Sequence, residues 1–144
     1  MKKILLSILI IPFFAFSDVW VDYDLSEDVV ELTVVQVEPN RLDDYLVNLE
    51  KTWVAAMNLQ KELGYINDFA VWTTNEQSGT KANVLMTVNY SNISSAEPNK
   101  ERDLAFAEAW EKMSSQQEQD EIVATYPTMR KILAHHFLRR VTYK

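Results

Sequence analysis

Cysteine is absent from the 144-residue sequence, which excludes disulfide staples, thiol catalysis and a lipid anchor on an N-terminal Cys. Packing alone must hold the fold. Glycine occurs only twice, at Gly64 and Gly79, and neither position lies in a phosphate-cradling loop or a dinucleotide fingerprint, which need several closely spaced glycines. Histidine also occurs only twice, side by side at His135 and His136. Basic residues are the minority, 14 Lys and Arg against 21 Asp and Glu, for a formal charge of −7. No basic stripe interleaves with aromatics, so nucleic acid and anionic membrane surfaces are disfavoured as partners.

A long hydrophobic run is also missing, with one short exception at the start of the chain. Lys2 and Lys3 precede an almost unbroken apolar stretch over residues 4–16, and Ala15-Phe16-Ser17 supplies small residues at the spacing a signal peptidase accepts. Residues 1–17 therefore read as a secretory signal peptide cleaved near Ser17/Asp18, and the mature protein as periplasmic or secreted. The stretch is shorter than the ~20 residues a spanning helix needs and is interrupted by Pro12. No stable membrane insertion is expected after cleavage. Loss of Lys2 and Lys3 leaves a mature chain of about −9, of a size that suits one core. Residues 18–28 form an N-terminal extension and residues 29–144 a single domain.

What is present follows two periods. Residues 29–37 alternate in the manner of a strand, and Pro39 ends it. Asn40 is placed to cap a helix, in which Leu42, Tyr45, Leu46, Leu49, Trp53, Ala56, Met57 and Leu63 recur at three- and four-residue steps and make one apolar stripe. Gly64 is placed as its left-handed cap. Residues 65–74 and 82–90 alternate again, joined by the polar segment 75–80, which reads as a hairpin connection. A loop follows. Leu104, Phe106, Ala107, Trp110 and Met113 then return to helical spacing, and the Gln- and Glu-rich segment 114–121 reads as a solvated helix face or a break. Tyr126-Pro127 marks a boundary before a helical turn through Ile132, and residues 137–143 read as the last strand.

The order β-α-β-β-α-β predicts an α+β fold, a ferredoxin-like antiparallel sheet with its helices on one face. On the alternation, Val30/Leu32/Val34, Phe69/Val71, Val84/Met86/Val88 and Phe137/Val141/Tyr143 are expected to meet the helices. The opposite face, with Thr33/Val35/Val37, Ala70/Trp72/Thr74, Leu85/Thr87/Asn89 and His136/Leu138/Arg140, is too apolar for water. A second copy of the chain is the economical cover, so a homodimer with sheets packed face to face is expected.

This order, the helix from Glu50-Lys51-Thr52-Trp53 to Leu63-Gly64, the strand Asp68-Phe69-Ala70-Val71-Trp72 and the ending Met129-Arg130-Lys131-Ile132-Leu133 to Phe137-Leu138-Arg139-Arg140 resemble the dimeric α/β-barrel superfamily. More narrowly they resemble its exported, uncharacterised bacterial members, related in fold to antibiotic-biosynthesis monooxygenases and stress-responsive barrel proteins. The resemblance implies a pair of sheets closing a barrel. It also implies, in the superfamily's haem-degrading enzymes, an Asn on the first strand with a Trp and a His on the second helix. Here residues 29–37 hold no Asn and the histidines fall near the last strand, leaving only Trp110 comparable. Haem is disfavoured, and no cofactor is expected.

The residues able to carry function are few. Adjacent His135 and His136 point to opposite faces of a strand and cannot share a metal on one face, so no metal site is expected. Trp53 and Trp110 fall on helix stripes, where core packing is the default reading. The sharper reading has one of Trp53, Trp72 and Trp110, with Met57 and Tyr90, lining a cleft for a small aromatic ligand. The ligand-binding candidates are thus Trp53, Met57, Trp72, Asn89, Tyr90, Trp110, His135, His136 and Arg140. The acids at Glu108, Glu111, Glu118, Asp120 and Glu121 read as a solvated helix face. Three functions stay open: a binding protein for a small, partly apolar or aromatic ligand, a cofactor-independent monooxygenase-like enzyme on aromatic small molecules, and a structural dimer with no ligand. An open cleft beside Trp53, Trp72 and the pair His135 and His136 separates the first two from the third.

Overall fold

The computed structural model describes residues 19–75 and 81–144. The expected signal peptide and residues 76–80 of the hairpin connection lie outside these described residues. Among the described residues six strands are formed: β1 (Tyr23–Leu25), β2 (Val29–Val37), β3 (Asp68–Thr73), β4 (Val84–Tyr90), β5 (Arg130–Leu138) and β6 (Val141–Tyr143). Strands β2 to β5 make the main sheet in the order β3-β4-β2-β5, with every neighbouring pair antiparallel. This is the ferredoxin-like arrangement expected from the element order. The extension ahead of the domain pairs back onto its end, since β1 and β6 form a separate two-stranded sheet. No helix among the described residues is long and apolar enough to cross a membrane.

The first crossover is a helical run made of α1 (Leu42–Leu49), a π turn (Glu50–Val54) and α2 (Ala55–Glu62). It starts one residue later than expected: Asn40 is not the cap but a left-handed turn residue at φ 63°, a conformation Asn tolerates better than most. Arg41 occupies the cap position without a side-chain bond, and Asp43 and Asp44 in the first turn offset the exposed N–H groups. Gly64 ends the run at φ 74°, as its placement predicted.

The return path is α3 (Ile93–Ala96), α4 (Lys100–Met113), α5 (Gln116–Val123) and α6 (Tyr126–Met129). Segment 114–121 is both things the composition allowed, a break at Ser114 and then a solvated helix. The end of the chain differs from expectation. Pro127 sits in the first turn of the short α6, which closes at Met129 rather than at Ile132, because the apolar run beyond it pairs with β2. The last main-sheet strand therefore begins at Arg130, and Val141 and Tyr143 belong to β6 and not to the main sheet.

Directly opposed residues of an antiparallel pair share a face, so the register assigns the faces. Val35 opposes Val84, Thr33 opposes Met86 and Glu31 opposes Val88. Val35, Val37, Val84 and Met86 pack with Tyr45, Leu49, Tyr126 and Met129 in the main core, while Met57, Ile66 and Val88 form a second cluster. The odd-numbered residues of β2 consequently face the helices, and Val30, Leu32 and Val34 face away, the reverse of the expected assignment for this strand. The reason is that β2 is apolar on both sides, so alternation alone does not choose. Phe69, Val71, Val84, Met86, Val88 and Phe137 lie on the helix side as expected.

A bulge completes the pattern. Val34 opposes Ala134 and Val35 opposes Ile132, leaving Leu133 as the extra residue. Because of it, Arg130 and Ile132 share the helix-side face with His135 and Phe137.

Candidate functional site

Between the sheet and the helices lies a cleft of about 420 Å³, within the usual range for small-molecule sites. Its floor is Thr33, Met86, Arg130 and Ile132 of the sheet, and its walls are Leu49, Thr52, Trp53, Ala56, Trp110, Gln119, Val123 and Tyr126. An adjoining depression extends it past Pro127, sharing Val123, Tyr126, Arg130 and Ile132. The π turn shapes one wall. Its wider hydrogen bond, from Ala55 N–H to Glu50 O, breaks the α-helical phase between Leu49 and Ala56. Trp53 is held edge-on against Phe69, ring centroids 5.6 Å apart, and Trp110 stacks on Phe106 at 6.0 Å.

The polar atoms of the walls are chained together. Thr52 Oγ1 donates to Asn48 O at 2.9 Å, so its short bond with the Tyr126 hydroxyl has the tyrosine as donor. Arg130 donates to Tyr45 Oη at 2.7 Å, and that hydroxyl donates in turn to Met86 Sδ at 3.7 Å. The Arg130 guanidinium lies 4.4 Å from the Tyr126 ring centre and 5.4 Å from that of Tyr45, a cation–π arrangement on two rings. Burial pushes the Tyr45 phenol above its ordinary pKa, with Arg130 pulling it back in part. At neutral pH it is a hydrogen-bonding group and not a base. Gln119 Nε2 donates to Lys51 O at 3.0 Å, tying α5 to the π turn beside the cleft.

One pleat along β2 from Thr33, Glu31 joins two of the expected residues. Tyr90 Oη donates to Glu31 Oε2 at 2.8 Å, and His135 Nε2 lies 2.7 Å from Glu31 Oε1. The carboxylate accepts from both, so the proton sits on Nε2 of His135. Burial, and then the bond to Glu31, raise the Tyr90 pKa. His135 also meets Phe137 edge-on at 5.4 Å.

Of the expected site residues, Trp53 and Trp110 line the cleft, and Tyr90 and His135 meet at Glu31 on the same sheet face. Met57 is buried in the second core cluster. Trp72, Asn89 and His136 are on the opposite face, as their partners Leu85, Val30 and Leu32 show, and Trp72 is 58% exposed there. The expected grouping of Trp72 and both histidines around one cleft is therefore not formed, and the histidines split across the sheet as alternation requires. Arg140 is in the turn before β6, where its N–H donates to Ser26 Oγ at 2.9 Å. Sequence reading missed Thr52, Tyr126 and Arg130. Only Arg130 carried a visible signal, a charge heading the apolar run Ile132-Leu133. Among the described residues no cluster of His, Asp and Glu could hold a metal ion.

Fold and cleft together define a ferredoxin-like α+β protein with a cavity between its helices and its sheet. No protein-family model and no curated protein matches the chain. Among solved structures it is similar to HapK from Hahella chejuensis, at 8% identity and a TM-score of 0.46 over 78% of this chain and 91% of that one. It is similar to protein SO0527 from Shewanella oneidensis, at 9% identity and a TM-score of 0.49 over 83% and 98%. A dimeric protein of unknown function and ferredoxin-like fold from Bacteroides fragilis is similar at 10% identity and a TM-score of 0.41, over 84% and 100%.

Proposed function

We propose that the mature chain is exported, pairs with a second copy through the open face of its sheet, and holds a small, partly apolar, aromatic ligand in the helix–sheet cleft. The cleft carries this reading: about 420 Å³ walled by Trp53, Trp110, Met86, Val123 and Ile132, with few polar groups among them. Such a wall favours flat apolar bodies. An interior packed solid, as a purely structural dimer requires, is hard to reconcile with this space. Binding is favoured over catalysis because the hydroxyls of Tyr126 in the wall and of Tyr45 in the core beside it are engaged in internal hydrogen bonds, and the buried phenol of Tyr45 resists deprotonation. The enzymatic alternative, cofactor-independent oxygenation of an aromatic small molecule, draws on the Glu31–His135 pair on the same face, the arrangement a proton-moving pair would need.

Native mass spectrometry of protein recovered from the bacterial periplasm tests the binding reading. A dimer whose subunits lack residues 1–17 and which carries a small-molecule adduct is expected. A full-length, ligand-free monomer would sink it. Oxygen uptake on addition of aromatic hydroxy compounds would transfer the weight to the enzymatic alternative.

A further inference from the structure

We propose that the cleft selects an anionic ligand, an aromatic carboxylate, and that Arg130 supplies the positive charge that meets it. The inference rests on the cleft being a ligand site and adds the charge of the ligand. The mature chain carries about −9, and a surface of that sign repels anions over the ~8 Å range of ionic screening. Anion binding would therefore need a local cation set into the fold. Arg130 is one: it lines the cleft from the start of β5, and among the described residues no carboxylate forms an ion pair with it. Where other basic residues do form ion pairs, as in Arg41–Asp44, Lys61–Asp68 and Lys112–Glu108, the pairs are made on the surface. In a chain with 21 acids and 14 basic residues, a guanidinium lining an apolar cavity without an acid partner is a distinctive placement.

Its surroundings hold it ready. Two tyrosine rings and one hydrogen bond to Tyr45 Oη fix the group, which has five N–H donors in a fork that matches a carboxylate. The neighbouring hydroxyls of Tyr45 and Tyr126 are already committed, to Met86 and to Thr52. The remaining N–H groups of Arg130 are thus the strongest donors for a ligand, while Trp53, Trp110 and Ile132 supply the apolar surface for its body. A flat acid satisfies both at once.

The test compares 2-naphthoate with its neutral isostere 2-naphthamide by calorimetry, supported by quenching of tryptophan fluorescence, to which Trp53 and Trp110 contribute from the cleft wall. Wild type is expected to bind the acid at least tenfold tighter than the amide. Arg130→Gln is expected to lose that preference while its affinity for the amide stays within about twofold, and Arg130→Lys to keep part of it. Equal affinity of wild type for acid and amide would overturn the charge assignment and leave the cleft standing as a neutral site. Binding of neither probe would overturn the cleft reading as well. Should Arg130→Gln fail to fold, which its thermal melt would reveal, the wild-type comparison still decides the charge preference, and Arg130→Lys decides the residue: a lysine variant with an unchanged preference would overturn the assignment to the guanidinium.

Discussion

Asn83 shows how much of this fold hangs on single polar groups. Strand β4 begins at Val84, so it offers no backbone partner to Val37 at the end of β2. The Asn83 side chain takes that place, with Oδ1 accepting from Val37 N–H at 2.8 Å and Nδ2 donating to Val37 O at 3.0 Å. Both residues are buried, Val37 fully, and next to Val37 the Glu38 N–H bonds Met129 O, just before Arg130. Asn83→Ala leaves two buried backbone groups unpaired and is expected to cost ~1–3 kcal/mol of stability. Asn83→Asp keeps the shape but turns a donor into an acceptor facing the Val37 carbonyl, and at pH 7 it is expected to cost more than the alanine. Urea midpoints of the three proteins check the order, and an aspartate variant as stable as wild type would refute the assigned bond. Nothing near position 83 in the sequence announces this role, because the partner lies 46 residues away. Arg130 shows its charge in the sequence but not its setting: its rings, Tyr45 and Tyr126, meet around it only once the chain is folded.

Elements were far more legible than contacts. The order β-α-β-β-α-β, the helical run over residues 42–62 and its glycine end follow from periodicity and from local φ preference, which need no distant partner. The faces of β2 did not follow, since Val30, Leu32 and Val34 compete with Val35 and Val37 and only the register with β4 decides between them. Nor did the bulge at Leu133, which leaves no mark in an apolar run. Yet the bulge matters to the cleft, because a one-residue slip sends each side chain to the other face of a strand. Deleting Leu133 is expected to set Arg130 and Ile132 at odds with His135 and Phe137, so that one pair or the other leaves the helix side. Binding of 2-naphthoate should then weaken at least tenfold while far-UV circular dichroism still reports the mixed α+β content. A deletion variant that binds as wild type does would show that the bulge has no part in shaping the site.

For the whole molecule, the corrected faces alter the case for pairing. The open face of the sheet carries Val30, Leu32 and Val34 of β2 with Ala70, Trp72, Leu85, Ala134 and Leu138, a more apolar set than alternation first suggested. Such a contiguous surface on the two central strands and both edges is what a second sheet would cover. Two forces then oppose each other. Apolar burial scales with area and is insensitive to moderate salt, whereas two copies of a chain with a formal charge of −7 repel over a range that salt shortens. The proposed dimer is therefore expected to tighten as ionic strength rises, the opposite of an interface held by ion pairs. Leu32→Glu places a charge in the middle of this face. In a single chain Leu32 is already partly exposed, so the substitution should cost the monomer under ~1 kcal/mol, yet an uncompensated carboxylate inside the interface should abolish association. Tyr143→Glu on β6, at a residue 82% exposed and outside the main sheet, should leave association unchanged. Sedimentation velocity at low and high salt separates these outcomes. A Leu32→Glu protein that remains dimeric would place the contact elsewhere on the molecule.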